Sequence, residues 1–459
     1  MPVFTVRTRI AASPARVFAW HERPGAFERL VPPWEPIRIV ERTGGLEVGA
    51  RTVLEMRAGP FPVRWVAEHT GYVDGREFCD EQRGGPFRCW RHLHRMLPEP
   101  DGRCTLEDQI EYELPFGLLG RLADRLAVRS KLERTFRYRH AVTAADVELH
   151  ARLAHTGPLR VAITGSHGLI GSTLVPMLTT GGHEVVRLTR PRAGAQVPGE
   201  HATWDPARGV LDPRSLEGVD AVVHLAGANV GARRWSASFK RTIVESRVGP
   251  TRRLAEQLAS FSSPPQTLIC ASGVGFYGHR PGETLTEESP AGSGFLADLG
   301  RAWEEAARPA IDAGIRVVWM RLGIVLSPVG GALARLLTPF RLGVGGRLGS
   351  GRADTSWISI DDAAASVCHA LCTTDLRGVV NATAPEPVSQ AEFTRTLARV
   401  VRRPAWVPVP AAALRLAVGD MADEALLASA RAMPARLEKS GYVFRHRHLE
   451  QALRHVLGR

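Results

Sequence analysis

The feature that most constrains this chain is a run of residues that combines an apolar strand, a glycine-rich turn and a helix. The turn reads Thr164-Gly-Ser-His-Gly-Leu-Ile-Gly171 and directly follows the apolar run Leu159–Ile163. A helical pattern comes next and stops at Gly181-Gly182, a pair typical of a helix C-terminus. A second apolar run, Glu184–Thr189, follows. This order of elements predicts a parallel sheet with crossover helices.

The glycine turn has the properties of a phosphate-binding site. Its first glycine permits a tight turn, its second lets the main chain approach a pyrophosphate, and its third lets the helix pack on the strand. The same spacing recurs at Gly343, but without a preceding strand or a following apolar period, and there it predicts only a loop. The alternative is a strand-turn-helix that binds nothing. We predict a dinucleotide site formed by Gly165, Gly168, Leu169, Ile170 and Gly171.

The end of the second strand indicates which dinucleotide is bound. The sequence there, Leu188-Thr-Arg-Pro-Arg192, contains no acidic residue. NAD sites usually place Asp or Glu at this point for the ribose 2′-hydroxyl, whereas arginine favours a 2′-phosphate. One or two charge-assisted bonds from Arg190 predict a preference for NADP of roughly ten-fold to several hundred-fold. Thr189 and Arg190 therefore join the predicted site, although Arg190 and Arg192 could also be two of many surface arginines.

Composition argues against several partners. The 459 residues carry a net charge of +12, but arginines are scattered among acids, so we expect no nucleic-acid partner. No run of 18 apolar residues predicts a membrane span, and the first residues lack the apolar segment of a signal peptide. The six cysteines show neither metal spacing nor the density of a disulfide scaffold. These patterns predict a cytoplasmic protein with reduced thiols and no metal ion.

The first 149 residues predict an α+β helix-grip domain. A long helix with an apolar stripe (Leu119, Leu122, Leu126, Leu132 and Phe136) should lie across an antiparallel sheet. The expected strands are Ile37–Val40, Thr52–Met56, Val63–Ala67, Phe87–Leu97 and Cys104–Leu114. With Ile10-Ala-Ala-Ser-Pro-Ala-Arg-Val-Phe18, this region resembles the START-like or polyketide cyclase (SRPBCC) superfamily. The resemblance implies a pocket for an apolar ligand between sheet and helix.

Two histidines in this region, His92 and His94, alternate on one strand face. Imidazoles at this spacing are candidate metal ligands or bases. No third ligand stands at metal spacing in the sequence, so we interpret them as structural or solvent-facing.

The remaining sequence predicts three further segments. Residues 150–158 end in Gly-Pro and are the expected linker, and residues 159–378 alternate strands and helices as in a doubly wound Rossmann domain. Residues 379–459 are predicted to form a small α-rich C-terminal cap, because Ser389-Gln-Ala-Glu392 is a capping box and helical patterns follow it.

Several local strings resemble one family, the extended short-chain dehydrogenase/reductase superfamily. The resemblance is narrower to its NADP-dependent epimerase branch, whose tail is a domain of unknown function (DUF1731), and it covers about residues 159–457. It implies that Leu225, Ala226, Gly227, Arg247 and Val325 also line the cofactor. The strings are the glycine turn, His224-Leu-Ala-Gly227, Arg234-Trp235, Ser246-Arg247, Ser272-Gly-Val-Gly-Phe-Tyr-Gly278, Arg321-Leu-Gly-Ile-Val325 and Trp357-Ile-Ser-Ile-Asp-Asp362.

The sequence departs from that superfamily in its catalytic residues. The usual acid/base pair, Tyr-x-x-x-Lys, is absent, and Phe295 stands where the pair is expected. Ser272 and Tyr277 are the remaining candidate catalytic residues, with Tyr277 first interpreted as a packing residue or substrate contact. Glu304 is expected on a solvated helix face. Asp361 and its neighbour Asp362 are expected to cap a helix.

Three functions remain open at this point. The first is an NADP-dependent oxidoreductase or nucleotide-sugar epimerase-like enzyme that acts on a small molecule. The second is an NADP(H)-binding or redox-sensing module without turnover. The third places the activity in the first domain, as a cyclase-like or lipid-carrying unit fused to a reductase. The oligomeric state is not indicated.

Overall fold

A computed structural model of the chain describes residues 1–58, 61–115, 124–190, 200–208, 210–211 and 213–459. They form two compact units. The first is Met1–His155 with residues 179–182 and 458, and the second is Thr156–Leu178, His183–Leu457 and residue 459. Three residues used above, Leu119, Leu122 and Arg192, lie outside the described residues, as does the side chain of Leu126. Among the described helices, none combines the length and the apolar character that crossing a bilayer requires.

The first unit is a seven-stranded antiparallel sheet in the order β1-β7-β6-β5-β4-β3-β2. Alternation of buried and half-buried side chains along β6 and β7 marks a sheet with one face in a core. Its strands are β1 (Val3–Ile10), β2 (Arg38–Thr43), β3 (Arg51–Ala58), β4 (Phe61–Val73), β5 (Glu77–Gly84), β6 (Cys89–Pro98) and β7 (Cys104–Glu113).

The described residues of this unit form three α-helices beside the sheet: α1 (Pro14–Glu22), α2 (Ala26–Leu30) and α3 (Arg129–Leu153). The side chain of Ser13 caps α1, with a proline in the first turn. The 25 residues of α3 pack Leu132 and Phe136 against aromatic side chains of the sheet. The α+β fold predicted for this region is confirmed. Two details differ: strand β5 was not predicted, and α3 continues to Leu153, inside the segment expected as a linker.

The second unit contains an eight-stranded sheet in the order β11-β10-β9-β8-β12-β13-β15-β19, with every pairing parallel except β10 with β11. The chain leaves β8 toward β9 on one side and returns to β12 on the other, so the topological switch point lies between β8 and β12. The strands of this unit are β8 (Arg160–Thr164), β9 (Glu184–Thr189), β10 (Glu200–Asp205), β11 (Val210–Leu211), β12 (Ala221–His224), β13 (Thr267–Gly273), β14 (Thr284–Leu285), β15 (Arg316–Leu322), β16 (Ile324–Leu326), β17 (Asp354–Thr355), β18 (Trp357–Ser359), β19 (Gly378–Ala382), β20 (Val388–Ser389) and β21 (Arg431–Ala432).

The central strands are buried on both faces, as helices on both sides of a parallel sheet require. All four residues of β12 are buried. The helices are α4 (Gly171–Thr180), α5 (Ala237–Glu245), α6 (Val248–Ala259), α7 (Phe295–Glu305), α8 (Arg308–Asp312), α9 (Gly331–Arg341), α10 (Ile360–Cys372), α11 (Gln390–Val401), α12 (Ala411–Val418), α13 (Ala435–Lys439) and α14 (Leu449–Leu457). The predicted doubly wound sheet and helical C-terminal tail are both confirmed.

Two features near the C-terminus refine the predictions. Strand β19 belongs to the main sheet although it lies almost wholly within the range predicted as the cap. The second glycine triplet, which begins at Gly343, forms a loop between α9 and β17, as its lack of flanking periodicity predicted. The two glycine triplets therefore have the same spacing but different structures, because only the first is flanked by a strand and a helix.

Candidate functional site

The glycine turn lies at the switch point, between the end of β8 and the start of α4. Gly165 has a left-handed backbone (φ 69°), and a Cβ added there would lie 2.8 Å from the carbonyl carbon of Leu225. A Cβ on Gly171 would overlap the carbonyl oxygen of Gly165. Both positions therefore require glycine. The turn consequently packs directly against the backbone that follows β12.

Two backbone groups in this turn are available to a ligand. The N–H of Gly168 donates to the carbonyl of Gly165 at 2.8 Å, which closes the turn. Among the described residues, nothing accepts from the N–H groups of Leu169 and Ile170. Unpaired N–H groups before an α-helix form an anion-binding site. The side chains of Leu169, Ile170 and Val325 pack against the same apolar cluster, which anchors the turn.

A buried polar chain fixes the two strand ends relative to each other. The hydroxyl of Thr164 is hydrogen-bonded to Nδ1 of His224 at 2.7 Å and accepts from the N–H of Ala226 at 3.3 Å. Nε2 of His224 is hydrogen-bonded to the hydroxyl of Thr251 at 3.0 Å. Burial, with a smaller effect of Arg247, lowers the pKa of His224 from 6.5 to about 4. This histidine is therefore neutral at pH 7, and its two ring nitrogens link Thr164 to Thr251 by hydrogen bonds.

Arg247 holds the segment that follows β12. Its guanidinium donates to the carbonyl of Ala228 at 2.9 Å and lies 4.9 Å from the ring centroid of Trp303. A Cβ on Gly227 would lie 3.1 Å from the guanidinium carbon, so this glycine lets the arginine approach the main chain. Burial lowers the pKa of Arg247 to about 10, and the group stays charged. The predicted residues Leu225, Ala226, Gly227 and Arg247 are thus brought together beside the turn.

The predicted selectivity residues stand at the end of β9, next to β8. Thr189 is the last residue of that strand and pairs with Thr203 of β10. Arg190 follows it and is exposed, and none of the described carboxylates forms an ion pair with it. A guanidinium that no described acidic side chain neutralises is available for a phosphate group.

Ser272 and Tyr277 lie in a buried network. The hydroxyl of Ser272 donates to Glu304 at 2.8 Å, and Glu304 is bidentate with Arg321 at 2.8 and 2.7 Å. Arg321 also donates to the hydroxyl of Tyr277 at 3.0 Å. The Tyr277 hydroxyl in turn donates to Oδ1 of Asn381 at 2.7 Å. The network therefore spans β13, β15 and β19, three neighbouring strands of the sheet.

This arrangement makes both hydroxyls poor proton-transfer groups. Ser272 is 4% exposed and Tyr277 is fully buried. Burial, which outweighs the opposing effect of Arg321, raises the pKa of Tyr277. A phenol that stays protonated and hydrogen-bonded to protein on every side does not exchange protons readily with a ligand.

The network also contains residues that the sequence did not reveal. Glu304 was expected on a solvated helix face, which is wrong: 13% of its side chain is exposed, and it pairs with Arg321, itself 3% exposed. Of the two adjacent glutamates on this helix, Glu305 is the one that faces solvent. Arg321 could have been identified from the pairing of β13 with β15, because it stands directly opposite Ser272 in that pairing.

The predicted acidic cap also requires a correction. The side chain of Ser359, not that of Asp361 or Asp362, caps α10 by accepting from the N–H of Asp362 at 3.1 Å. The Asp362 carboxylate instead accepts from Tyr442 at 2.9 Å and from the N–H of Arg445 at 2.8 Å. These acids therefore have a structural role.

In the first unit, His92 and His94 are not solvent-facing. They are 3% and 7% exposed and border a cavity of about 500 Å³ between the sheet and α3. Asp80, which pairs with His92 from β5, supplies the third ligand-type side chain that the sequence spacing lacked. Burial acts to lower the pKa of His92, but its contacts with Asp108 and Asp80 prevail and raise it.

Comparison with known families covers most of the chain. The profile of the NAD dependent epimerase/dehydratase family matches residues 161–382. The profile described as polyketide cyclase / dehydrase and lipid transport matches residues 10–135, and that of a domain of unknown function, DUF1731, matches residues 409–456. The matches follow the order of the antiparallel unit, the parallel sheet and the helical tail.

Individual proteins are similar over about two thirds of the chain or over nearly all of it. An epimerase family protein of Mycobacterium bovis is 46% identical over 64% of this chain and 96% of its own length. The crystal structure of the human epimerase family protein SDR39U1 with NADPH is 34% identical, covers 65% of this chain and 99% of that chain, and has a TM-score of 0.60. A structure described as the nucleoside-diphosphate sugar epimerase from Corynebacterium glutamicum is 36% identical, covers 99% of this chain and 90% of that chain, and has a TM-score of 0.81.

Proposed function

Because this chain belongs to the epimerase family, within the NAD dependent epimerase/dehydratase group, we propose that its parallel-sheet unit binds NADP(H) and transfers hydride to or from a small molecule. The observation that carries the proposal is the turn at Gly165, where a left-handed glycine, two unpaired N–H groups and the N-terminus of α4 form one anion-binding surface. The NADPH in the human relative supports the same cofactor.

The residues beside the turn fit a dinucleotide. Leu225, Ala226 and Gly227 follow β12 at the switch point, where ligands of doubly wound sheets bind. Arg190 is the residue we assign to the 2′-phosphate, because its guanidinium is exposed at the end of β9. The acidic residue that NAD sites usually have at this strand end is absent from residues 188–192. When bound, the nicotinamide supplies or accepts hydride. The protein residues named here would bind and orient it.

The substrate class we propose is a nucleotide-sugar-like small molecule, on the analogy of the relative from Corynebacterium glutamicum. None of the six cysteines, all of them in the described part of the chain, forms a disulfide, which is consistent with a reducing compartment, and we propose the cytoplasm. Ser272 and Tyr277 are then positioning residues rather than groups that contact the substrate, because Glu304 and Asn381 accept from their hydroxyls inside the protein.

A second function, NADP(H) binding without turnover, is favoured by one specific observation. The family's Tyr-x-x-x-Lys pair is missing from the sequence, and the hydroxyls of the two remaining candidates, Ser272 and Tyr277, are both buried and hydrogen-bonded. A binding or redox-sensing role needs the glycine turn but no acid/base group.

One experiment separates the two functions. The full chain is incubated with NADPH and a panel of carbonyl compounds and nucleotide sugars, and NADPH oxidation and sugar interconversion are followed. The oxidoreductase proposal predicts turnover above the level of a Gly165→Ala variant with at least one compound. If the wild-type chain binds NADPH but turns over nothing in the panel, the binding role stands and the enzymatic one fails. Failure to bind NADPH contradicts both.

For the first unit we propose binding of an apolar small molecule in the 500 Å³ cavity. Leu54 and Trp65 of the sheet and Leu132 and Phe136 of α3 give this cavity an apolar lining of the size used by small-molecule sites. This supports the cyclase-like or lipid-carrying function as a third candidate. A Leu54→Arg variant of the full chain should bind an apolar fluorescent probe more weakly than the wild-type chain. Equal binding would contradict the proposal.

A further inference from the structure

A cluster of ligand-type side chains lies on the cavity-facing side of the antiparallel sheet. His92 and His94 are two residues apart on β6 and therefore project from the same face. Asp80, on β5, is the direct cross-strand partner of His92. All three border the cavity, and the two histidines are more than nine-tenths buried. The cluster is built by strand pairing, which explains why it has no spacing motif in the sequence.

The distances within the cluster match those between ligands of one metal ion. Nδ1 of His92 lies 3.4 Å and Nε2 of His94 lies 3.5 Å from the same oxygen, Oδ2 of Asp80. The ligand atoms of the three side chains all lie within 4.8 Å of one another. For metal–ligand bonds of about 2.0–2.2 Å, tetrahedral coordination places neighbouring ligand atoms roughly 3.4 Å apart. The two nitrogen-to-oxygen distances are therefore those expected of atoms that share one tetrahedral ion.

A second carboxylate contacts both rings from the opposite side. Nε2 of His92 is hydrogen-bonded to Oδ1 of Asp108 at 2.9 Å, and Nδ1 of His94 lies 2.6 Å from the same oxygen at an angle outside hydrogen-bond geometry. Nε2 of His140 is hydrogen-bonded to the other oxygen of Asp108 at 2.6 Å. A carboxylate behind a ligating imidazole is the usual outer-shell arrangement in metal sites, because it holds the proton on the far nitrogen.

These contacts with Asp108 suggest one tautomer for each ring, in which the lone pairs of His92 and His94 face the carboxylate of Asp80. With the ring protons assigned to the nitrogens that face Asp108, the lone pairs of His92 Nδ1 and His94 Nε2 both point toward the carboxylate of Asp80. Lone pairs and a carboxylate repel one another unless a proton or a metal cation lies between them. The nearby Nδ1 of His69, on the strand position opposite Asp80, is also buried without a hydrogen-bond partner.

We propose that Asp80, His92 and His94 bind a divalent first-row transition-metal ion such as Zn²⁺, with Asp108 as the residue that orients the two imidazoles. Two nitrogens and one carboxylate oxygen leave at least one coordination position free. That position faces an apolar cavity, so its natural occupant is an apolar molecule with an oxygen donor, a carboxylate or an enolate. The site lies in the first unit, and this proposal does not rest on NADP(H) binding by the second.

The test uses the full chain after removal of metal with a chelator. Titration with Co²⁺ is followed by visible absorption, and titration with Zn²⁺ by calorimetry. We expect one ion per chain and a visible Co²⁺ spectrum of low-symmetry coordination. Asp80→Asn and His94→Gln, which keep side-chain size, should weaken binding at least ten-fold. Asp108→Asn should weaken it by roughly ten- to a hundred-fold. His155→Gln, an exposed histidine outside the cavity, should bind as the wild type does.

Two results would overturn the proposal: a wild-type chain that binds neither ion, or Asp80→Asn and His94→Gln variants that bind as tightly as the wild type. X-ray absorption of the zinc-loaded wild-type chain tests the ligands without any substitution and remains valid if a variant fails to fold. We expect scattering from two imidazoles and no sulfur. A sulfur shell would assign the ion to the cysteines instead and would contradict the site.

Discussion

The buried pair of Glu304 and Arg321 makes the sharpest prediction for stability. Arg321 is 3% exposed, and both oxygens of Glu304 accept from its guanidinium. Glu304→Ala would leave a buried guanidinium with the Tyr277 hydroxyl as its one remaining hydrogen-bond acceptor among the described residues, beside its contact with the Phe276 ring. Removing one member of a buried ion pair costs about 3–5 kcal/mol. We expect about 3 kcal/mol, the lower end, because Glu304 borders a cleft and 13% of its side chain is already exposed.

The control is the adjacent residue on the same helix. Glu305 pairs with Arg308 at 3.4 Å, but more than half of each side chain is exposed. Exposed pairs contribute about 0–1 kcal/mol, so Glu305→Ala should cost less than 1 kcal/mol. Both substitutions remove one carboxylate near the C-terminus of α7, and they differ mainly in burial.

The assay is urea unfolding of the full chain, with hydrogen-exchange mass spectrometry of peptides from β13 and β15 to assign the transition to this sheet. We expect Glu304→Ala to lower the unfolding midpoint and the exchange protection of both strands, and Glu305→Ala to change neither appreciably. Equal effects of the two substitutions would refute the assignment of Glu304 to a buried network.

Three further predictions concern the glycine turn and its surroundings. Gly165→Ala should abolish NADPH binding in a fluorescence titration, whereas Gly218→Ala, which has the same φ of 69° but open space around it, should retain the wild-type affinity. Arg190→Ala should weaken NADPH binding by about ten-fold or more and leave NADH binding unchanged; equal losses would contradict its role. The folded-state pKa of His224 lies below its ordinary 6.5, so its stabilising effect is complete above about pH 6.5 and is lost as pH falls toward 4. The wild type should lose about 2 kcal/mol more than His224→Gln between about pH 7 and pH 5 in urea unfolding.

Local patterns made the parallel sheet and its turn predictable. The strand, the glycines and the helix that form the turn are consecutive in the chain, and each has its own signal in composition or period. The expected neighbours Leu225 and Gly227 also follow directly from a buried strand. The strand, the turn and the helix are each determined mainly by residues that are adjacent in the chain, so the sequence alone is enough to predict them.

The missed residues depend on partners that are distant in sequence. Strand β5 reads Glu77-Phe-Cys-Asp-Glu-Gln-Arg-Gly84, a charged run that becomes a strand because β4 and β6 pair with it on both sides. Missing that strand also hid Asp80 and left His92 and His94 without a third ligand. Glu304 has the same explanation, since its burial is created by Arg321 on another element.

The affinity of the wild-type chain for NADPH and NADH is the most direct test of the central proposal. Each nucleotide is titrated into the full chain and followed by the fluorescence of the reduced nicotinamide. We expect NADPH to bind at least ten-fold more tightly than NADH, because the turn at Gly165 binds the pyrophosphate of both and Arg190 contacts only the 2′-phosphate. No binding of either nucleotide, or equal binding of both, would contradict the proposed site.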